Sequence, residues 1–443
     1  MTSYFHAVTL NKDKCVGCTN CIKHCPTEAI RVKEGKAKII DERCIDCGEC
    51  IRICPQHAKM AVTNTLEEIK RFRYPVALPA PTLYGQFKAG TTVDMVIAGL
   101  LELGFARVWE VARGAEIVSR VSGEYFREKE LPKPVISSAC PAVVRLIRVR
   151  FPELINNILP VDSPMEAAAR MAKMEMEEEG CPLDEVGVFF ISPCAAKFTA
   201  VKNPIGRRKS FVDGVIAISD IYGPLYGMLE EMKGAPRLQK STGSGIHWAV
   251  SGGEMRLLPK RSSLSVDGLV NVAHVLEDVV MGKLKEVDFI EALACVGGCV
   301  GGPLTVENPF MAKTRIVALA KRAGQPVDLL PELPEGTKWQ DFTWTENLQP
   351  QAVLKLDDDL AEAIRKMEAL DEIHKSLPGL DCGSCGAPTC RALAEDIVRG
   401  QGNEVDCVFK LREKVAELAE RMVALSSKLP PSMNEKKQKE GKQ

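Results

Sequence analysis

The sequence is poor in the features that mark membrane, secreted and nucleic-acid-binding proteins. No apolar run reaches transmembrane length, and no basic and apolar leader with a small-residue cleavage site opens the chain. The formal net charge at pH 7 is only -1, which gives no reason to expect a nucleic-acid partner. We therefore expect a cytoplasmic protein that binds neither membrane nor nucleic acid.

Histidine is scarce, whereas cysteine is abundant. The six histidines are scattered and form no apparent metal site, so we interpret them as ordinary surface or packing residues. The seventeen cysteines are not expected to form a disulfide framework, because a cytoplasmic compartment keeps thiols reduced. Metal binding is the expected use of most of them. A chain of 443 residues, 45% of them apolar, can also bury one large core and carry small satellite domains.

Eight of the cysteines form two copies of one pattern, C-x2-C-x2-C-x3-C-P, within residues 1–62. In this spacing three cysteines ligate one [4Fe-4S] cluster, and the fourth ligates the neighbouring cluster. Zinc is the weaker alternative, since its sites rarely use three-plus-one spacing. The expected ligand sets of this two-cluster ferredoxin module are Cys15, Cys18, Cys21 and Cys54 for one cluster, and Cys44, Cys47, Cys50 and Cys25 for the other.

A linker is expected over residues 63–75, where NTLEEIKRFRYP predicts a charged connecting helix that ends before Pro75. Strands then alternate with helices over residues 76–335. PVALPA, ARVWEV, PVISSA and VGVFFIS have strand length, while TTVDMVIAGLLELG and SPMEAAARMAKMEMEEEG repeat apolar residues at helical spacing. The alternation predicts an α/β domain with mainly parallel sheets flanked by helices. Ligands of such folds bind beyond the carboxyl ends of the strands.

Four further cysteines lie at such strand ends. Cys140 follows VISSA, Cys194 follows VFFISP, and FIEALA leads into Cys295 and Cys299. Taken singly, each could be a small buried hydrophobic residue. The glycine-rich run ACVGGCVGG favours a cluster instead, because glycines let the backbone approach a bulky ligand closely.

The loops SSACP, SPCAAKF and EALACVGGCVGG together resemble the cluster-binding loops of [FeFe]-hydrogenase large subunits. LPAPTL and TGSGIHWAVSGGEM resemble two further segments that line the same cavity in that family. The resemblance implies that Cys140, Cys194, Cys295 and Cys299 hold a [4Fe-4S] cluster. It also implies that the sulfur of Cys299 bridges to a two-iron subcluster with carbonyl (CO), cyanide (CN) and dithiolate ligands.

The resemblance assigns roles to residues beside the cluster as well. Lys197 matches the lysine that donates to an iron-bound cyanide, a task that suits a compact ammonium in a dry pocket. Without the motif, the plainer interpretation of Lys197 is a solvent-facing lysine. Ala80, Pro81 and Thr82 match the segment that contacts the other cyanide, with the threonine hydroxyl as a donor.

The sequence departs from prototypical family members at several positions. Ala139 stands where those members have a proton-relay cysteine, and a methyl group cannot pass a proton. Ser192 and Leu293 replace methionines, Pro303 and Leu304 replace glycine and glutamine, and the helix GAEIVSRVSGEYF lacks the expected close acidic pair. Positioned acid-base groups contribute about 10²–10⁴-fold in rate, so slow turnover is expected. These departures resemble the sensory branch of the family.

The C-terminal third carries a further cysteine pattern within residues 379–410. It resembles a small single-cluster [4Fe-4S] domain that also occurs in corrinoid iron-sulfur proteins and in sensory-type hydrogenases, with zinc as the rival metal. The four cysteines, in C-x2-C-x4-C-x16-C spacing, are Cys382, Cys385, Cys390 and Cys407. Only Cys181 is left over, and we interpret it as structural or incidental.

Two amphipathic segments flank this last domain. The first lies in the stretch 336–378, where DDDLAEAIRKMEALDEIHKSL begins with acidic residues that suit a helix N-terminus. The second lies in the stretch 411–443, which ends in a solvated tail. Its helix either packs on its own protein or forms a coil with a second copy or a partner. Its apolar residues at heptad spacing are Leu411, Val415, Leu418, Met422 and Leu425.

The sequence therefore predicts a sensory-type [FeFe]-hydrogenase with four [4Fe-4S] clusters and a two-iron subcluster, reacting reversibly with H2 at a low rate. The implied partners are H2, a redox partner such as ferredoxin, maturation proteins for the subcluster and a signalling protein such as a kinase or phosphatase. A homodimer through the second amphipathic segment stays an alternative to packing of that segment on its own protein. Two alternatives stay open: an electron-transfer protein without the two-iron subcluster, and a genuine hydrogenase with another proton route.

Overall fold

The computed structural model describes residues 5–259, 262–324, 332–351, 353 and 355–428. The expected solvated tail after residue 428 lies outside the described residues. The chain divides into two compact units. The larger unit comprises Met1–Cys15, His24–Ala29 and Ile39–Leu354, and the smaller comprises Val16–Lys23, Ile30–Lys38 and Lys355–Gln443. The domain boundaries expected from the sequence stay a prediction.

The strands build two parallel sheets and two short two-stranded sheets. The parallel sheets have the orders β6-β5-β8-β9 and β10-β11-β7, whereas β1 pairs with β4 antiparallel and β2 lies beside β3. The predicted α/β class with mainly parallel sheets is confirmed. The strands are β1 (Val8–Leu10), β2 (Ile30–Lys33), β3 (Lys36–Ile39), β4 (Lys59–Ala61), β5 (Tyr74–Pro79), β6 (Arg107–Val108), β7 (Val135–Ile136), β8 (Val186–Ser192), β9 (Gly214–Ala217), β10 (Ser263–Asp267) and β11 (Phe289–Leu293).

The helices connect these strands and continue into the C-terminal third. They are α1 (Asn20–Lys23), α2 (Glu49–Arg52), α3 (Pro81–Tyr84), α4 (Val93–Glu102), α5 (Val111–Glu128), α6 (Pro141–Arg150), α7 (Pro164–Glu178), α8 (Ala195–Lys202), α9 (Ile218–Met228), α10 (Gly243–His247), α11 (Leu269–Val280), α12 (Pro309–Ala323), α13 (Leu360–Ser376), α14 (Cys390–Val398) and α15 (Val408–Ser426). Among the described residues, none of these helices combines the length and apolar character that crossing a membrane requires.

The four-stranded sheet is buried on both faces. Along β8, Val188 and Phe190 pack into one apolar cluster, while the alternate residues Phe189 and Ile191 pack into another on the opposite face. All seven residues of β8 are buried. Because successive side chains of a strand point to opposite faces, a continuous apolar run such as VGVFFIS is typical of this position.

The connecting segment before β5 is helical, but it is a 3-10 helix over Leu66–Arg71. Thr65 precedes it, and the Glu68 side chain accepts a hydrogen bond from the Thr65 backbone N–H at 3.0 Å. Only Ile69 of this segment is buried. The short charged segment therefore contacts the core through Ile69 and the partly buried Leu66, and two residues separate its end from β5, which begins at Tyr74.

The smaller unit joins a hairpin from the N-terminal third to the C-terminal third. The Arg31 guanidinium of β2 forms a two-pronged ion pair with the Asp396 carboxylate of α14, with N···O distances of 2.6 and 3.0 Å. The Val32 backbone N–H donates to the Gly386 carbonyl at 2.8 Å. Because both charged side chains are more than nine-tenths buried, removing either one would leave an unpaired buried charge.

The last helix, α15, leaves its apolar heptad positions exposed in the part of the chain that the structure describes. Leu411, Val415, Leu418, Met422 and Leu425 are all at least 45% exposed. Phe409, in the first turn of the same helix, packs against the apolar cluster of the smaller unit. The arrangement disfavours the interpretation that the heptad face packs on its own protein, and a coil with a second copy or a partner stays a prediction.

A close helix crossing fixes the position of α5 in the larger unit. A Cβ atom at Gly114 would lie 2.3 Å from the Pro164 carbonyl oxygen and 3.0 Å from the Ala168 Cβ of α7. Gly123, on the same helix, has the Pro259 Cδ as its nearest neighbour at 4.0 Å. The two glycines therefore differ in packing although they share one helix.

We expect Gly114→Ala to destabilise the fold by about 1–3 kcal/mol, because the added methyl group must push α5 away from α7. Gly123→Ala should instead stabilise by up to about 1 kcal/mol, since alanine favours a helix and the space is open. Urea unfolding of the two variants measures both free energies. Equal effects of the two substitutions would contradict the proposed role of the crossing.

Candidate metal centre

One cavity of the larger unit lies where strands of both parallel sheets end. Its lining includes Ala80 after β5, Cys140 after β7, Cys194 after β8 and Cys295 after β11. Cys299 lines it as well. The structure therefore brings together the loops of the four cysteines that the sequence places at strand ends, at the position where parallel sheets bind ligands.

The four thiols are close enough to interact electrostatically. Cys194 interacts with Cys140, Cys295 interacts with both, and Cys299 interacts with the other three. Burial is the largest cause that raises the pKa of Cys194 to about 11 and that of Cys295 to about 12. Cys299 opens onto the cavity, yet burial and the neighbouring thiols raise its pKa too. Without a cation, four such sulfurs cannot be thiolates together, so the set suits a metal cluster.

Local backbone structure presents two of these sulfurs. Cys140 is the residue before α6, and Cys194 is the residue before α8. The backbone N–H groups of Ala196 and Lys197 in the first turn of α8 point to the Cys194 sulfur. First-turn N–H groups have no partner inside a helix, and they stabilise a thiolate at this position.

Glycines pack the cysteine loops against each other. A Cβ at Gly298, whose φ is 98°, would lie 2.6 Å from the Ser251 backbone nitrogen. A Cβ at Gly302 would lie 2.2 Å from the Pro193 carbonyl oxygen. The sequence predicted that these glycines let the backbone approach a ligand. In the described structure they instead let the backbones of neighbouring loops approach each other.

The polar groups on the cavity wall are few and defined. Lys197 Nζ donates to the Ala139 carbonyl at 3.1 Å, so this lysine is not an ordinary solvent-facing one. Thr82 is fully buried beside Pro81, and its hydroxyl has no hydrogen-bond partner among the described residues. A buried hydroxyl without a partner is costly, which fits a bound group that carries acceptor atoms.

A buried cation points the same way. Arg145 of α6 is 1% exposed, and its only hydrogen bond among the described residues goes from Nη1 to the Ala196 carbonyl at 3.2 Å. Its two other guanidinium nitrogens have no partner there. A buried guanidinium with two unpartnered nitrogens is costly unless negative charge lies nearby. The residues therefore fit an iron-sulfur cluster with further anionic ligands.

The positions that depart from prototypical hydrogenases lie in two different environments. Leu293 lines the cavity, whereas Ser192 is not among its lining residues and bonds its own loop. The Ser192 hydroxyl donates to the Cys194 carbonyl at 2.9 Å and accepts from the Cys194 N–H at 3.1 Å. A Cβ atom at Gly48 would lie 2.4 Å from the Pro303 Cγ, so Pro303 packs closely against Gly48. The Leu304 N–H donates to the Pro193 carbonyl at 2.9 Å.

A buried carboxyl pair that no sequence motif indicated, Glu254 and Glu291, also lines the cavity. Ser137 Oγ donates to Glu254 Oε2 at 2.5 Å and accepts from the Ala139 N–H at 3.2 Å. Burial raises the pKa of both carboxyls, and the neighbouring charge of Glu291 raises that of Glu254 further. A glutamate in the otherwise apolar strand FIEAL was the signal that could have found it.

Helix α5, whose sequence lacks the close acidic pair of prototypical members, uses its polar residues elsewhere. Ser119 and Ser122 of α5 donate to the carbonyls of Ala115 and Val118, both at 2.8 Å. Glu116 of the same helix accepts from the Thr242 N–H and hydroxyl, both at 2.7 Å, and is not among the residues that line the cavity.

The second cysteine set of the N-terminal module is also brought together. Cys47 interacts electrostatically with Cys25, Cys50 and Cys44. Burial is the largest cause that raises the pKa of Cys47 well above its usual range. For the other set, Cys15 and Cys54 belong to the larger unit while Cys18 and Cys21 belong to the smaller, and their common cluster stays a prediction.

One histidine is more than an ordinary surface or packing residue. His6 Nδ1 lies 3.0 Å from the fully buried side chain of Asp46. The same carboxylate accepts from the Val8 N–H at 3.0 Å and from the Thr199 hydroxyl at 2.9 Å. A ring nitrogen of His6, a carboxylate oxygen of Asp46 and the Cys44 sulfur lie within 4.8 Å of one another. This polar network therefore lies next to the loop that carries Cys44.

The C-terminal cysteines lie within the smaller unit. Cys385 interacts electrostatically with Cys382 and Cys407. Cys390 is buried in the same apolar cluster as Cys407, and its N–H donates to Asp381 Oδ1 at 2.6 Å. Cys181 lies apart from these sets and packs against the core of the larger unit.

Family models match three parts of this chain. The family model described as "Iron only hydrogenase large subunit, C-terminal domain" matches residues 73–261 and 259–303. A 4Fe-4S dicluster model matches residues 7–55, and a model for an Fe-S cluster domain matches residues 377–409.

Curated relatives and solved structures are similar to this chain as well. The periplasmic [Fe] hydrogenase large subunit of Nitratidesulfovibrio vulgaris is 26% identical over 72% of this chain and 92% of its own length. Iron hydrogenase 1 of Clostridium pasteurianum is 24% identical over 67% of this chain and 64% of its own length. An [FeFe]-hydrogenase structure from Chlamydomonas reinhardtii covers 65% of this chain and 98% of its own, with 18% identity and a TM-score of 0.49.

We expect Cys295→Ser, purified without the two-iron subcluster, to lose about a quarter of the iron, because one of four predicted clusters loses a ligand. Cys181→Ser is the matched control, and its iron content should equal that of the unmodified chain. Iron and zinc analysis with absorption spectra measures both. Full iron in Cys295→Ser, or zinc in place of iron, would contradict the assignment.

Proposed function

Because this chain belongs to the family of iron-only hydrogenase large subunits, we propose that it interconverts H2 with protons and electrons at a low rate and serves as an H2 or redox sensor. The observation that supports the reaction is the convergence of Cys140, Cys194, Cys295 and Cys299 on one cavity that Lys197 also lines. The observation that supports the low rate is Ala139, which lines the same cavity with a methyl group.

The four cysteines would hold a [4Fe-4S] cluster, and Cys299 would also bridge to a two-iron subcluster with CO, CN and dithiolate ligands. When bound, the subcluster supplies the place where H2 is formed or split. Lys197 and the Thr82 hydroxyl offer donors to anionic ligands of that group. The apolar wall, which includes Met165 and Phe190, excludes water and strengthens these polar contacts.

The buried carboxyls supply a proton route where a relay thiol is missing. Glu254 lies one hydrogen bond from Ser137, whose hydroxyl also accepts from the Ala139 N–H. Since burial raises the pKa of Glu254 and of Glu291, the pair retains a proton at neutral pH more readily than exposed glutamates do. Glu254 would release and regain a proton at its carboxyl oxygen, next to the Ser137 hydroxyl. This observation favours slow turnover over none.

Electrons would reach the cavity through the other cysteine sets. The set of Cys25, Cys44, Cys47 and Cys50 lies in the same unit as the cavity. In the smaller unit, a Cβ at Gly383 of the C-terminal cysteine loop would lie 3.3 Å from Lys23 Cε, at the end of the helix that carries Cys21. This contact supports a role of the C-terminal cluster as a further electron relay toward a partner such as ferredoxin.

The sensory role is supported by the departures at Ala139, Ser192 and Leu293 and by the C-terminal cluster domain. A sensor of this kind would report the redox state of its clusters to a signalling protein such as a kinase or phosphatase. Maturation proteins would insert the two-iron subcluster.

We expect the matured protein to show infrared bands of CO and CN ligands and to oxidise H2 slowly with an artificial acceptor. Absence of the bands from iron-replete protein would favour the alternative of a pure electron-transfer protein. Fast turnover would favour a genuine hydrogenase with another proton route. Only bands together with slow turnover agree with the proposal.

We expect Glu254→Gln to lower H2 turnover by about tenfold or more, because an amide cannot exchange the proton that the carboxyl carries. In the direction of H2 formation, turnover should fall as the pH rises through the raised pKa of the pair, since the donor is then lost. That pH limb should disappear in the variant. Turnover measured between pH 5 and pH 9, in roughly unit steps around neutrality, tests both points.

Glu116→Gln is the matched control, because Glu116 is another buried glutamate with a raised pKa, caused mainly by burial, that does not line the cavity. It should leave turnover and its pH profile unchanged.

Ala139→Cys should instead raise turnover, up to the factor of about 10²–10⁴ that a positioned acid-base group contributes. Unchanged turnover in Ala139→Cys would mean that the missing thiol is not what limits the rate.

A further inference from the structure

Arg52 connects two cysteine sites of the larger unit. It ends α2, inside the second C-x2-C-x2-C-x3-C pattern, at a position where that pattern specifies no residue type. Its guanidinium contacts the loop that follows β11. Nη1 donates to the Gly301 carbonyl, and Nη2 lies 4.0 Å from the Cys295 sulfur.

The same cation also acts on the other cysteine set. Arg52 interacts electrostatically most strongly with Cys295, and more weakly with Cys47. Cys295 belongs to the proposed cavity cluster, and Cys47 belongs to the ferredoxin-type set of Cys25 and Cys44. One positive charge therefore lies between the ligands of two proposed clusters.

The plainer interpretation of Arg52 is a surface ion pair. Glu49 Oε2 lies 2.8 Å from Nη2 at i,i+3 spacing, and the two side chains are 27% and 29% exposed. Such pairs contribute little to stability. An exposed pair within one helix, however, requires neither the Gly301 carbonyl nor a cysteine sulfur of another loop. Those two contacts direct the guanidinium toward the cavity cluster.

We propose that Arg52 sets the reduction potential of the cluster held by Cys140, Cys194, Cys295 and Cys299 relative to that of the neighbouring ferredoxin-type cluster. The proposal rests on the ligand sets given under the proposed function. Each transfer oxidises one cluster by one electron and reduces the other by one. A cation and an N–H donor beside a ligand sulfur stabilise the more negative, reduced state. Because Cys295 feels Arg52 more strongly than Cys47 does, the cavity cluster gains more, and electrons are drawn toward it.

The test is a redox titration of the full-length chain with its [4Fe-4S] clusters but without the two-iron subcluster, followed by electron paramagnetic resonance. The signal of the cavity cluster is identified as the one that Cys140→Ser removes. For Arg52→Gln we expect the reduced-to-oxidised ratio of this cluster at fixed potential to fall about tenfold, or about 59 mV for a one-electron couple. The cluster of Cys47 should shift by less.

Three further variants make the result specific. Arg52→Lys keeps the charge but loses the fork of donors, so its shift should be smaller than that of Arg52→Gln. Glu49→Gln removes the counter-charge and should shift the potential of the cavity cluster upward. Arg73→Gln also removes one arginine charge, from an exposed pair with Glu185 at 3.2 Å, and should shift neither cluster.

An unchanged potential in Arg52→Gln, with full iron content, would overturn the inference while leaving the proposed function intact. Equal shifts in Arg52→Gln and Arg73→Gln would overturn it too, since they would report net charge alone. If the unmodified chain shows no signal that Cys140→Ser removes, the ligand assignment itself fails, and the inference fails with it.

Discussion

Four cysteine sulfurs that would repel one another as thiolates meet at one buried cavity, and this is the constraint on which the larger unit depends. Each loop reaches the cavity from the end of a different strand or from the glycine-rich run after β11. Burial raises the pKa of these thiols, so the set is unfavourable as bare thiolates and favourable around a metal cluster. The two parallel sheets hold the loops in place, because their carboxyl ends face the same cavity.

The chemistry of the cavity follows from how few polar groups its apolar wall contains. Lys197 is held by the Ala139 carbonyl, and the Thr82 hydroxyl is left for a bound group. A buried polar group without a partner is destabilising unless a bound group replaces the hydrogen bonds that it made to water. The same reasoning applies to Glu254 and Glu291, since burial raises the pKa of both carboxyls and so favours their protonated forms.

Charge around the cysteine sites is arranged by contacts between distant segments. Arg52 reaches a sulfur 243 positions away in the sequence, and Ser137 reaches a carboxylate 117 positions away. In the smaller unit, the buried ion pair of Arg31 with Asp396 spans 365 positions. Water screens the charges of the buried Arg31–Asp396 pair less than those of a surface pair, so this pair has a larger electrostatic effect.

The sequence by itself determined the cysteine patterns, the α/β alternation and the family, because ligand spacing and apolar periodicity are local properties of the chain. It indicated Cys140, Cys194, Cys295, Cys299 and Lys197 through motifs of a few residues each. Only the tertiary structure decided which distant side chains join them. The carboxyl pair, the unpartnered hydroxyl of Thr82 and the reach of Arg52 depend on how the sheets and loops pack, and no local pattern encodes that packing.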